Sequence, residues 1–105
     1  MSLLMIAAVT IHDDDDARKR YEDYVAGGVV SLGKHDAEVL ASDEAPAIVE
    51  GVLPGRKIVV IRFRDRAHFD EWYNSSEYQE VLPIRKTDAE TAFVLVAEEL
   101  DLTKL

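Results

Sequence analysis

The sequence has no cysteine, which excludes disulfides, thiolate metal sites and a cysteine nucleophile. It is short of cations, with 12 Lys and Arg against 21 Asp and Glu and a formal net charge of −9. A field of that sign repels phosphate backbones, so nucleic acid is not an expected partner. The one basic stretch, Arg62–Arg66, is interrupted by Asp65. Long apolar runs are also missing. The longest, Leu3–Ile11, contains Thr10 and falls well short of the ~20 residues of a membrane span. It has neither a basic n-region before it nor a small-residue cleavage site after it, so it reads poorly as a signal peptide. The expectation is a cytoplasmic protein with no membrane association. There is no P-loop, dinucleotide fingerprint, zinc motif or nucleophile elbow, so no cofactor and no metal is expected.

What is present is enough for one domain. The chain has 105 residues, 48% of them apolar, which argues against disorder despite 31% charged residues. Leu3–Ile11 reads as a strand. Asp13–Asp16 can cap a helix and favour its positive end; with His12 they lack the spaced glycine and distal Glu of a calcium loop. Asp16–Lys34 reads as a helix with Tyr21, Tyr24, Gly28 and Leu32 near one stripe, weakened by Gly27-Gly28 and stopped at Gly33. Glu38–Ser42 is a short strand, Asp43–Pro46 a turn, and Ala47–Leu53 a resumption of the strand. Pro54-Gly55 marks a turn before Lys57–Phe63, the clearest interior strand. Asp65 caps a helix over Arg66–Asn74. Ser76–Gln79 matches a capping box for a short helix that Pro83 ends or kinks. Thr91–Ala97 is the last strand. The order β-α-β-β-α-β is the ferredoxin-like split βαβ motif, an α+β fold with a four-stranded antiparallel sheet and its helices on one face.

Alternation in the strands then predicts a partner. Ile58 and Val60 face one side, Val59, Ile61 and Phe63 the other, and the first and last strands are apolar on both faces. Two helices cover one face. The other leaves about half a dozen aliphatic side chains, each worth roughly 1.5–3 kcal/mol on burial. A homodimer stacked through the open face satisfies them; the alternative is a tail, Leu100–Leu105, folded over the sheet.

The run Trp72-Tyr73-Asn74-Ser75-Ser76-Glu77-Tyr78-Gln79, followed by Leu82-Pro83-Ile84-Arg85, resembles the family catalogued as domain of unknown function 1330. Glu50-Gly51, Tyr21, Tyr24 and Gly33 are similar too. The resemblance covers nearly the whole chain and implies a dimeric α/β barrel, with no established activity. Relatives of this architecture include cofactor-free monooxygenases, isomerases, dechlorinating enzymes and non-enzymatic binders. Arg62 stands where the family usually has Glu, Ser76 where it has Pro, and Lys34 where it has Gly.

Candidate site residues follow from chemistry. Arg85 either clamps an anion bidentately or pairs with Glu50 or Asp88. Glu50 is a candidate general base if desolvated, or a salt-bridge partner of Arg62 or Arg85. His35, at the end of the first helix, is a proton-transfer candidate or a charge at the helix terminus. Arg62, one charge in an apolar strand, needs an anionic partner, a ligand or water. Trp72, Tyr24 and Tyr78 are candidate ligand contacts that equally suit the core. Ser75 is a candidate ligand-binding hydroxyl or a cap; His68 is expected to be solvated. The expected function is a cofactor-free enzyme for a small anionic or aromatic compound, the alternative a non-catalytic binding or structural dimer.

Overall fold

Alternation along β1 (Leu3–Ile11) puts Leu3, Met5, Ala7 and Val9 on one face of a sheet and Leu4 and Ile6 on the other. In the computed structural model, which describes residues 2–104, the first set is buried. β3 (Lys57–Phe63) runs antiparallel to β1, with Met5 opposite Ile61 and Leu3 opposite Phe63. β4 (Ala89–Glu98) flanks β1 on its other side, with a bulge between Ala8 and Val9. β2 (Glu38–Asp43) pairs with β3 at the edge, giving the order β2-β3-β1-β4. With α1 (Asp15–Gly33) after β1, and α2 (Arg66–Tyr73) and α3 (Ser76–Asp88) after β3, this is the expected ferredoxin-like arrangement. No helix among the described residues is long and apolar enough to cross a membrane.

Local chemistry fixes the helix ends. Asp14 is the aspartate that caps α1, its side chain accepting from the Ala17 amide at 2.7 Å. The helix ends without using Gly33 as a left-handed stop; that conformation falls to Asp36, at φ 55°, a residue type that tolerates it. Gly27 costs propensity but gains an approach: a Cβ there would lie 2.7 Å from Val81 of α3. Asp65 caps α2 through the His68 amide, and the His68 ring lies against the same carboxylate at 2.7 Å. The cap of α3 is Ser75, one residue before the expected Ser76. Its hydroxyl accepts from the Tyr78 amide and donates to the Trp72 carbonyl, while Gln79 reaches back to the Tyr73 carbonyl. Pro83 does not end this helix, which runs on to Asp88. Pro83 lies on the exposed side, where the Gln79 carbonyl that loses its donor is open to solvent, and buried Leu82 and Arg85 hold the two halves in line.

Ala47–Leu53 does not resume the strand. β2 bulges between Val39 and Ala41, and its last residue, Asp43, already pairs with Ile58, next to the start of β3. Beyond that point there is no strand to pair with, and 44–56 forms a loop with Val49 and Val52 about nine-tenths exposed. Gly55, at φ 129°, makes the turn into β3, where a Cβ would press to 3.4 Å on the Val9 amide.

The core lies between the sheet and the helices, around Met5, Phe63, Phe69, Trp72, Tyr78 and Leu82. The open face carries Leu4, Ile6, Ile58, Val60, Phe93 and Leu95, and among the described residues no helix lies on it. The C-terminal segment does not cover it: Leu100 and Leu102 are largely exposed, and Leu105 lies outside the described residues.

One ion pair ties α1 to the end of α3. Arg20 forms a two-pronged contact with Asp88, at 2.7 and 2.9 Å, and the Asp88 side chain is 4% exposed. The Arg20 guanidinium holds the Asp88 carboxyl below the usual carboxylate range. A depressed carboxylate contributes stability that is full above its unfolded pKa, about 3.9, and is lost as pH falls through the folded value. Asp88→Asn is therefore expected to lower Tm at pH 7, with the gap from wild type narrowing below about pH 4 in a calorimetric pH series. A constant gap across that window would contradict it.

Candidate functional site

Tyr21, Tyr24, Gly28 and Leu32 recur at helical spacing on α1 and turn toward the sheet. α3 presents Tyr78, Leu82 and Arg85 by the same spacing. Between these helices and the Met5–Val9 face of the sheet lies a cavity of about 410 Å³. Gly28 keeps part of it open, since a Cβ there would meet nothing within 4 Å. Val25, Val29 and Val39 line it and remain partly exposed, so it opens between α1 and β2.

Arg85 is the unusual member of the lining. It is 6% exposed, yet neither structural partner expected for it is engaged. Asp88 is taken by Arg20, and Glu50 sits on the exposed 44–56 loop. Arg85 Nη1 donates to Thr91 Oγ1 at 2.5 Å, and its Nε is buried with no hydrogen-bond partner among the described residues. Burial works against the charge, but the phenol oxygens of Tyr78 and Tyr24 more than offset it, and the guanidinium pKa moves upward. Arg85 is a firm cation.

Two of the tyrosines beside it, Tyr21 and Tyr24, are held neutral. The Tyr24 and Tyr78 hydroxyls share a 2.7 Å hydrogen bond. Burial, then the neighbouring Tyr78, pushes the Tyr24 phenol far above its ordinary pKa; burial pushes Tyr21 up to about 12. Trp72 lines the site, tilted by 36° against Tyr78 with centroids 4.0 Å apart. Its indole N–H donates to Ser31 Oγ at 2.9 Å, which in turn donates to the Gly28 carbonyl. Trp72 therefore has a fixed pose, and its polar atom points away from any ligand.

Of the residues singled out in the sequence, Arg85, Trp72, Tyr24 and Tyr78 come together around this cavity. Glu50 and His35, the proton-transfer candidates, do not line it. Glu50 lies in the exposed loop because the strand does not resume. His35 follows the end of α1, its backbone N–H bonded to the Leu32 carbonyl. Ser75 is spent on the α3 cap and is corrected from ligand contact to cap. Arg62 is on the far face of the sheet, beside a separate hollow of about 320 Å³. Glu99 holds it at 2.6 and 3.1 Å and Glu38 approaches at 3.4 Å, so its partner is internal. Lys57, Ser42 and Thr91 were not among the candidates, and Tyr21 was read as part of the α1 stripe and not as a site residue. Lys57 was legible: it is in phase with Val59 and Ile61 and so faces the helices. Among the described residues no cluster of three or more carboxylates and histidines offers a metal site.

The whole of residues 2–98 matches the family model described as domain of unknown function, DUF1330. The chain belongs to the DUF1330 family. No curated protein matches it. Solved structures with the same fold include a protein of unknown function from Rhodopseudomonas palustris, RPA0582, at 14% identity and TM-score 0.71, covering 95% of this chain and 83% of that one. HapK from Hahella chejuensis follows at 21% identity and TM-score 0.64, over 93% and 92%. SnoaB, a cofactor-independent oxygenase from Streptomyces nogalater, shares 9% identity with TM-score 0.65, over 95% and 94%. At these identities the likeness establishes the fold of this DUF1330 chain and not its chemistry.

Proposed function

We propose that this DUF1330 protein is a cofactor-free enzyme acting on a small organic anion with an aromatic or alicyclic body. The observation that carries this reading is the buried Arg85 Nε–H without a partner, beside an apolar cavity. A buried donor left unsatisfied costs about 1–3 kcal/mol, more when charged. The Nε–H is closed to solvent, so a turn of the Arg85 side chain would bring it to a carboxylate, enolate or phenolate oxygen in the cavity, which would gain a charge-assisted hydrogen bond. In the Tyr24–Tyr78 pair one hydroxyl donates to the other, which leaves one O–H free to donate to an oxyanion. The cavity lies within the roughly 300–1,000 Å³ typical of small-molecule sites. SnoaB, a cofactor-independent oxygenase, is a precedent for such catalysis on this fold. A non-catalytic binder is favoured by one observation: among the described residues no carboxylate or imidazole lines the cavity. Recovery of a bound ligand chemically unchanged after prolonged incubation would select that reading.

Arg85→Met keeps the bulk and removes the charge. Its Tm is expected to equal or exceed that of wild type, because a buried charge gives way to an apolar side chain. Its affinity for benzoate, measured calorimetrically, should fall by roughly 30-fold or more, the cost of removing one side of a buried charge pair. An unfolded variant would make Arg85 structural, and unchanged benzoate binding would remove it from the site.

We also propose that the protein works as a homodimer joined through the open sheet face, opposite the cavity. Support comes from the six apolar side chains there, with Leu95 still 42% exposed, and from a C-terminal segment that leaves them uncovered. Light scattering at micromolar concentration is expected to give the mass of two chains for wild type and of one for Leu95→Arg. A monomeric wild type would overturn the dimer.

A further inference from the structure

Charge in the cavity runs against charge in the chain. The protein carries a net −9, yet among the described residues lining the cavity the charged side chains are Arg85 and Lys57. Lys57, like Arg85, has no carboxylate within salt-bridge distance among the described residues. Its ammonium instead sits over the Tyr21 ring, 5.2 Å from the centroid, in a protein with 21 acidic residues to choose from. The sheet register separates Lys57 from the anchor of Arg85. Val9 pairs with Lys57 on one side and with Thr91, the anchor of Arg85, on the other. Adjacent strands lie about 4.8 Å apart, so the Lys57 and Thr91 backbones stand about 10 Å apart across the cavity floor. Tyr21 lies between the two charges, with Lys57 on its ring face and its phenol within the field of Arg85. The lining between them is aromatic and aliphatic.

Resting on the anion-binding role of Arg85, we infer that the ligand carries two anionic groups on one small apolar body. One group binds Arg85 and the free O–H of the Tyr24–Tyr78 pair, and the second binds Lys57. A dianion neutralises both lining cations, whereas a monoanion leaves one of them without a counter-charge in a half-buried site. The class is an aromatic or alicyclic dicarboxylate, or a carboxylate whose ring bears an ionised enol or phenol. Ser42, at the edge of the same cavity, lies on the β2 side with Lys57.

The test compares benzoate with isophthalate and terephthalate by calorimetry, on wild type, Lys57→Met and Arg85→Met. Wild type is expected to bind the better dicarboxylate at least about tenfold more tightly than benzoate, the gain expected of one further charge-assisted hydrogen bond. Lys57→Met should collapse that ratio to near one, and Arg85→Met should weaken all three ligands. Benzoate binding with no dicarboxylate preference in wild type would overturn the inference and leave the anion site standing. So would a Lys57→Met variant that keeps the ratio. Failure of wild type to bind any of the three would overturn both. The wild-type ratio decides the matter even if Lys57→Met fails to fold.

Discussion

A guanidinium with no carboxylate is the constraint around which the helical side of this molecule is arranged. Arg85 stays charged within a shell of phenols, because Tyr78 and Tyr24 outweigh the penalty of burial. Burial, and then Tyr78, pushes the Tyr24 phenol upward against the opposing pull of the Arg85 charge. The nearby carboxylate, Asp88, is one turn along the helix and is withdrawn by Arg20. Removing a carboxylate from a buried arginine costs stability unless something else fills the place. The fold thus keeps a cation available inside an acidic protein.

The rest of the helical layer supports that arrangement. Gly27 lets Val81 approach, which brings α3 close to α1 and sets Tyr78 against Tyr24. Leu82 and Arg85 keep α3 continuous across Pro83. Ser31 pins Trp72, so that wall of the cavity does not swing. The opposite face of the sheet does different work. There Arg62 is fully engaged by Glu99 and Glu38, and the apolar side chains offer a surface for a second copy. The proposed ligand site and the proposed dimer surface thus fall on opposite faces of one sheet.

The fold was legible because it is written in short-range pattern: short apolar, β-branched runs in β1, β3 and β4, helical spacing in α1 and α2. The Asp65 cap and the Pro54-Gly55 turn added punctuation. The failures are those that depend on partners distant in sequence. Ala47–Leu53 has strand-like residues, but whether it becomes a strand depends on where β3 begins. Pro83 reads as a break until Leu82 and Arg85 are seen anchored. In the site, the Tyr24, Trp72, Tyr78 and Arg85 set was visible as chemistry but not as a group. Glu50 and His35 were equally plausible by residue type and lie elsewhere. Lys57 was overlooked beside Arg62, although alternation sends Lys57 inward and Arg62 outward.

The central claim is that the Arg85 Nε–H awaits an anion. It is most directly tested by following the arginine side-chain Nε–H signals by NMR during a benzoate titration, with Arg85→Met supplying the assignment. The Arg85 signal is expected to be present in the free protein and to move downfield to saturation as a charge-assisted hydrogen bond forms. An Arg85 signal that stays fixed while benzoate binds, or that already has the downfield position of a carboxylate-paired arginine before any ligand is added, would contradict the account.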